Sequence, residues 1–188
     1  MSVDTSSTRN RTARIISNFA TTNFGGAFTA GNFGGSIRNG LIDFTMSSGS
    51  GTISKVTLFL YSSGEIRSGG THSAHQITTT GWTQAGVTWN KYDGTNNWTT
   101  AGGDYGSAIY TTGTISGTPG WVQFDLMGGS ASNPLTLNWG DDVNILVKVA
   151  SGTSEVDYDT ATNLPYLEIT YTSGGGSFPR QALLGVGK

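Results

Sequence analysis

The chain has 188 residues, a formal net charge of −2, 12% charged residues, 29 glycines and no cysteine. Disulfides, thiolate metal sites and a cysteine nucleophile are therefore excluded, and the missing basic footprint argues against nucleic acid as a partner. With 5 Trp, 7 Tyr and 8 Phe among abundant Gly, Ser, Thr and Asn, the composition is that of a folded, turn-rich β protein and not of a disordered chain.

Residues 1–20 read as a polar N-terminal arm carrying Arg9, Arg11 and Arg14. They contain no apolar stretch of signal-peptide length, so export by the usual route is not expected, and no run in the chain approaches a membrane span. The pieces NFGGAF and NFGGSI that follow form a local duplication around Phe24, Phe28 and Phe33. Strand patterns begin at Ile37. Residues 37–46 end with Ile42 and Phe44 alternating against Asp43 and Thr45. Residues 53–61 place Val56, Leu58 and Leu60 on one face and Lys55, Thr57, Phe59 and Tyr61 on the other. Residues 121–126 turn Val122, Phe124 and Leu126 inward, with Gln123 and Asp125 outward. In residues 143–149, Val143, Ile145, Val147 and Val149 alternate against Asn144, Leu146 and Lys148, and Leu167, Ile169 and Tyr171 close the series. Period-two alternation between Gly-, Ser- and Asn-rich breaks marks half-buried antiparallel strands. The expected fold class is all-β: a two-sheet antiparallel β-sandwich of jelly-roll type over residues 21–172, with extended N- and C-terminal arms. Residues 173–188 read as a Gly-rich linker and a docking peptide.

Residues 81–107 carry the most specific signal. Residues 82–90 (WTQAGVTWN) and 98–105 (WTTAGGDY) resemble paired motifs of the DNRLRE domain family. Residues 41–44 with 56–61, 120–126 (GWVQFDL) and 165–171 (PYLEITY) resemble its early, later and closing strands, so the likeness spans roughly residues 35–172. The resemblance implies a non-catalytic jelly-roll module. Some family members resemble carbohydrate-binding modules and others are surface or virion modules.

Trp82 and Trp89 read as framework residues of a long excursion between strands. Tyr92 and Trp98, in the polar stretch KYDGTNNWTT, form the candidate exposed pair for sugar stacking, with Asp93 and Asn97 as polar neighbours. The alternative reading of that pair is scaffold. Glu155, Asp157 and Asp159 alternate and would share one strand face, a weak Ca²⁺ candidate beside the simpler reading of a solvated face. No other metal, and no cofactor, is expected. His72 and His75 fall on opposite faces of a strand and cannot share a metal. No nucleophile elbow or carboxylate pair of a hydrolase is present, so the protein is not expected to be an enzyme.

The terminal segments carry five basic residues against one acidic; residues 21–172 carry five basic against eleven acidic. Arg9, Arg11 and Arg14, with Phe178, Pro179, Arg180, Leu183 and Leu184 of the tail, are thus the expected partner-binding arms. On the sequence alone the leading expectation is a phage virion protein, a head decoration subunit made in the host cytoplasm. Its arms would dock on the major capsid or another virion protein, and it would self-associate, plausibly as a trimer. The alternative is a carbohydrate-binding, glycan-adhesion module using Tyr92, Asp93, Asn97 and Trp98.

Overall fold

The structure, a computed structural model, describes residues 1–66 and 69–173. Among them are twelve β-strands, every pairing antiparallel. They are β1 (Ser2–Asp4), β2 (Thr8–Ile16), β3 (Phe24–Gly25), β4 (Thr29–Phe33), β5 (Ser36–Thr45), β6 (Thr52–Ile66), β7 (Thr71–Ile77), β8 (Tyr105–Thr111), β9 (Gly120–Asp125), β10 (Asp142–Ser151), β11 (Glu155–Tyr158) and β12 (Tyr166–Thr172). Two layers face each other. The first runs β2–β5–β10–β7–β8, and the second runs β1–β12–β6–β9. The short strands β4 and β11 bridge the far ends of β5 and β6, so one hydrogen-bonded network folds over on itself.

The alternation read from the sequence sets what lies between the layers. Ile42 and Phe44 of β5, Ala74 of β7, and Val143, Ile145 and Val147 of β10 meet Val56, Leu58 and Leu60 of β6, Phe124 of β9, and Leu167 and Ile169 of β12. Each fully buried large aliphatic or aromatic side chain contributes about 1.5–3 kcal/mol. This is the all-β sandwich the composition predicts.

A second core lies on the other side of the first layer. Ala13, Ile15, Leu41, Ile77 and Leu146 point away from the sandwich interior, and Trp82, Val87 and Trp98 cover them. Residues 78–104, between β7 and β8, thus form a lid over that face. The lid is braced internally by backbone bonds, including Trp98 N–H to Asn90 O (3.0 Å) and Gly102 N–H to Trp89 O (2.7 Å), and Asn90 N–H ties it to Ala20 O (3.2 Å). The buried Asn39 amide donates to Gly102 O at 2.8 Å. Where the lid crosses itself, a Cβ on Gly86 would sit 2.2 Å from the Asp93 carbonyl oxygen, so only glycine fits. Leu146, read as an outward residue, is buried because of this lid.

The N-terminal arm is corrected by the register. Thr8–Ile16 pairs with β5 along its length, from Thr8 opposite Thr45 to Ile16 opposite Arg38, and Ala13 and Ile15 are fully buried. Three arginines gave the segment the look of a basic arm reaching for a partner. Their guanidinium groups instead have partners inside the fold: Arg11 pairs with the Asp43 carboxylate and lies over the Trp82 ring at 4.6 Å. An arginine stacked on an aromatic ring and paired to a carboxylate belongs in a sheet as readily as on a surface.

Candidate functional site

With the lid covering the first layer, the outer face of the second layer is, among the described residues, open at its Trp121 end. Register places its residues in rows. Tyr61 of β6 lies opposite Trp121 of β9, and Phe59 lies between Gln123 of β9 and Tyr166 of β12. Further along come Thr57 beside Glu168, then Lys55 beside Thr170. One end of the face is therefore aromatic and the other polar.

The four rings form one cluster. Phe59 and Tyr166 stack, with centroids 4.7 Å apart and planes 5° from parallel. The Trp121 ring crosses the others, at 5.2 Å and 78° to Tyr61, 5.2 Å and 76° to Tyr166, and 6.3 Å and 75° to Phe59. Edge-to-face contacts of this kind are favourable in themselves. Trp121 is nevertheless 43% exposed. A large ring is thus offered to solvent while three neighbours fix its attitude. Burial, then the Glu168 carboxylate, push the Tyr166 hydroxyl above its ordinary pKa, so it remains a donor across the working pH range.

A groove of about 500 Å³ adjoins Trp121. It lies between the loop at residues 112–119 and the edge of β9. Thr112, Thr114, Ser116 and Thr118 supply hydroxyl groups along it, Tyr110 and Val122 line it, and Trp121 and Gln123 belong to it as well as to the open face.

The residues nominated from the sequence lie elsewhere and do not form one surface. Trp98 is 5% exposed and donates its indole N–H to Thr88 O at 3.0 Å, so it is a core residue of the lid and not an exposed stacking ring. The polar residues around it mark turns, not solvent on every side. Tyr92 is half-buried, its ring 5.7 Å from that of Trp98. The Asp93 carboxylate accepts from the backbone N–H of Asn96 (2.6 Å) and of Thr95 (2.8 Å); these bonds hold its pKa below the ordinary carboxylate value. Asn97 is exposed and lines a cleft of about 400 Å³ with Asn23, Asn90 and Lys91. Trp82 and Trp89 are indeed framework. Trp82 is fully buried and donates to Asn144 Oδ1 at 3.1 Å, and Trp89 packs against the second core.

Arg9 donates to Thr160 O at 3.0 Å. Arg14 donates to Thr29 Oγ1 at 3.1 Å and lies over the Phe24 ring at 5.0 Å. Phe178, Pro179, Arg180, Leu183 and Leu184 lie outside the described residues. The three carboxylates of the Ca²⁺ candidate are each engaged separately. Glu155 pairs with Arg38, and Asp157 accepts from the Thr29 hydroxyl. Asp159 lies beyond the strand and accepts from the N–H groups of Ala161, Thr162 and Asn163, which hold its pKa well below the ordinary value. Among the described residues no three acidic or histidine side chains are placed to hold a metal.

The two histidines do face opposite sides of β7. His75 Nδ1 lies 2.9 Å from Gly106 O, and its ring packs edge-on against Tyr105. His72 is buried in the sandwich, Nδ1 2.8 Å from the Tyr158 hydroxyl and Nε2 2.8 Å from the Ser154 hydroxyl. A neutral imidazole satisfies both contacts. Burial pushes its pKa down to about 4, from 6.5 when unfolded, and lowers that of His75 as well. Between those values the unfolded chain binds a proton that the folded one refuses. The histidine contribution to stability is therefore complete above pH 6.5 and is lost as the pH drops towards 4, by roughly 2–3 kcal/mol for His72 alone. Urea unfolding at pH 7 and pH 4.5 reads this loss directly, and His72→Gln is expected to remove most of it. Equal stability at the two pH values in the unsubstituted protein would count against a buried neutral His72.

Sequence reasoning missed Trp121 and Tyr166 as site residues. A signal was present: Phe59 and Tyr61 occupy the outward positions of residues 53–61, where a sandwich strand ordinarily carries polar side chains.

The family model for carbohydrate-binding module family 96 matches residues 5–170. No curated protein matches the chain.

Proposed function

The chain belongs to carbohydrate-binding module family 96, and from that premise we propose that it is a non-catalytic module that binds polysaccharide on the outer face of its second layer, with Trp121 as the stacking ring. The observation that carries this reading is the exposed Trp121 ring held by Phe59, Tyr61 and Tyr166. A pyranose ring presents C–H groups on its faces and hydroxyl groups around its rim. An indole face receives the former, and adjacent polar groups such as Gln123 receive the latter. Because Trp121 is already fixed by its neighbours, little side-chain freedom is lost on binding.

The expectation of a virion attachment protein relied on terminal arms that dock on a neighbouring subunit. β2 holds Arg9, Arg11 and Arg14 within the sheet, and the tail lies outside the described residues. Glycan binding is the reading with a described surface behind it. Native gels cast with cellulose-derived β-glucan, xylan, mannan, starch, pectin or alginate test it. At least one polysaccharide should retard the full chain, and Trp121→Ala should migrate freely in that gel.

A further inference from the structure

We infer that the groove between the loop at residues 112–119 and the edge of β9 is a second sugar-binding subsite, continuous with the aromatic face through Trp121 and Gln123, so that the module grips a linear polysaccharide along its length and not by a chain end. The inference rests on the glycan-binding reading of Trp121.

Three observations carry it. The first is continuity. Trp121 and Gln123 line the groove and also belong to the outer face, so a chain stacked on Trp121 is led over the sheet edge and into the groove without leaving the protein. The second is chemistry. Thr114, Ser116 and Thr118 are exposed along the groove, and neither Thr114 nor Gln123 has a side-chain hydrogen bond to another described residue. Exposed hydroxyl and amide groups complement the rim of a sugar ring. The third is the strand itself. β9 pairs with β6 on one side, and no strand among the described residues pairs with its other side. Alternate residues of an antiparallel edge strand direct N–H and C=O away from the paired side, here towards the groove. A site that captures a chain end is walled around one terminal sugar. The arrangement here is an open face running into an open groove.

The test uses the polysaccharide that retards the chain in the gels above and its oligosaccharides, from disaccharide to octasaccharide. Binding to the full chain is measured by titration calorimetry. Affinity is expected to rise by about tenfold as the oligosaccharide grows past the length that covers Trp121, then to level off. The variant Thr114→Ala/Thr118→Ala changes two exposed side chains of the groove that do not belong to the aromatic face. It should bind the shortest recognised oligosaccharide as before and lose the gain from longer ones. If the variant keeps the full gain, or if affinity does not depend on length, the groove is not a subsite, while retardation lost in Trp121→Ala still upholds the aromatic face. If no polysaccharide retards the chain, or if Trp121→Ala binds normally, the groove proposal fails together with the reading beneath it.

Discussion

Trp121→Ala is expected to weaken polysaccharide binding by about 30- to 100-fold, close to abolition in a gel assay, with little change in the thermal midpoint. Removing a stacked indole forfeits both the apolar area it covers and the directional part of the aromatic contact, together about 2–3 kcal/mol. The small effect on folding follows from position. Trp121 lies on an edge strand, nearly half exposed, and its backbone pairing with Tyr61 does not depend on the indole. Trp121→Phe keeps a ring face and should retain part of the affinity. Asn97→Ala serves as a control, because the cleft it lines lies against the lid and is separate from β9. Unchanged binding in Trp121→Ala would remove the site from the aromatic face, and binding lost in Asn97→Ala instead would place it on the lid.

The difference between these two surfaces explains what the sequence conceals. Strand identity is local. Val56, Leu58 and Leu60 announce their shared face by spacing alone, as do Val143, Ile145 and Val147, and these residues do meet in the sandwich interior. The candidate site is not local. Phe59 comes from β6, Trp121 from β9 and Tyr166 from β12, and they become neighbours only through a register that pairs β6 with both other strands. No spacing within one segment reveals that. The lid misleads in the opposite way. Residues 91–100 look solvated because they are rich in Asn and Thr, yet the segment is held in turns by carboxylates: Asp93 caps one, and Asp104 just beyond it accepts from the N–H groups of Thr99 and Thr100. With its polar neighbours so engaged, Trp98 is free to turn inward. The N-terminal segment misleads for a related reason. The sequence marks Arg11 as part of an arm for an external partner, and its stem and guanidinium instead complete the contact between β2, Asp43 and the Trp82 ring.

One sandwich face is thus closed by the chain's own excursion and the other is left aromatic and open, so substitutions of tryptophan should sort by layer. Trp82→Ala is expected to cost about 3–5 kcal/mol of stability, a large fraction of what holds a single domain together. The indole is fully buried and packs in the second core with Ala13, Ile15, Leu41 and Leu146. Its N–H donates to Asn144 Oδ1, and the Arg11 guanidinium lies against its ring. Deleting the ring opens a cavity, removes the donor to Asn144 and uncovers the Arg11–Asp43 pair, and a polar group left buried without its partner adds to the loss. Urea unfolding measures the drop, and proteolysis within residues 78–104 should accelerate, since the lid loses its central anchor. Trp98→Ala should act in the same direction, because that ring too is buried in the second core. Folded Trp82→Phe, which restores much of the volume, should still bind the polysaccharide that Trp121→Ala releases. A Trp82→Ala protein of unaltered stability would mean that the lid is not part of the folding unit, and the first layer would then be as open as the second.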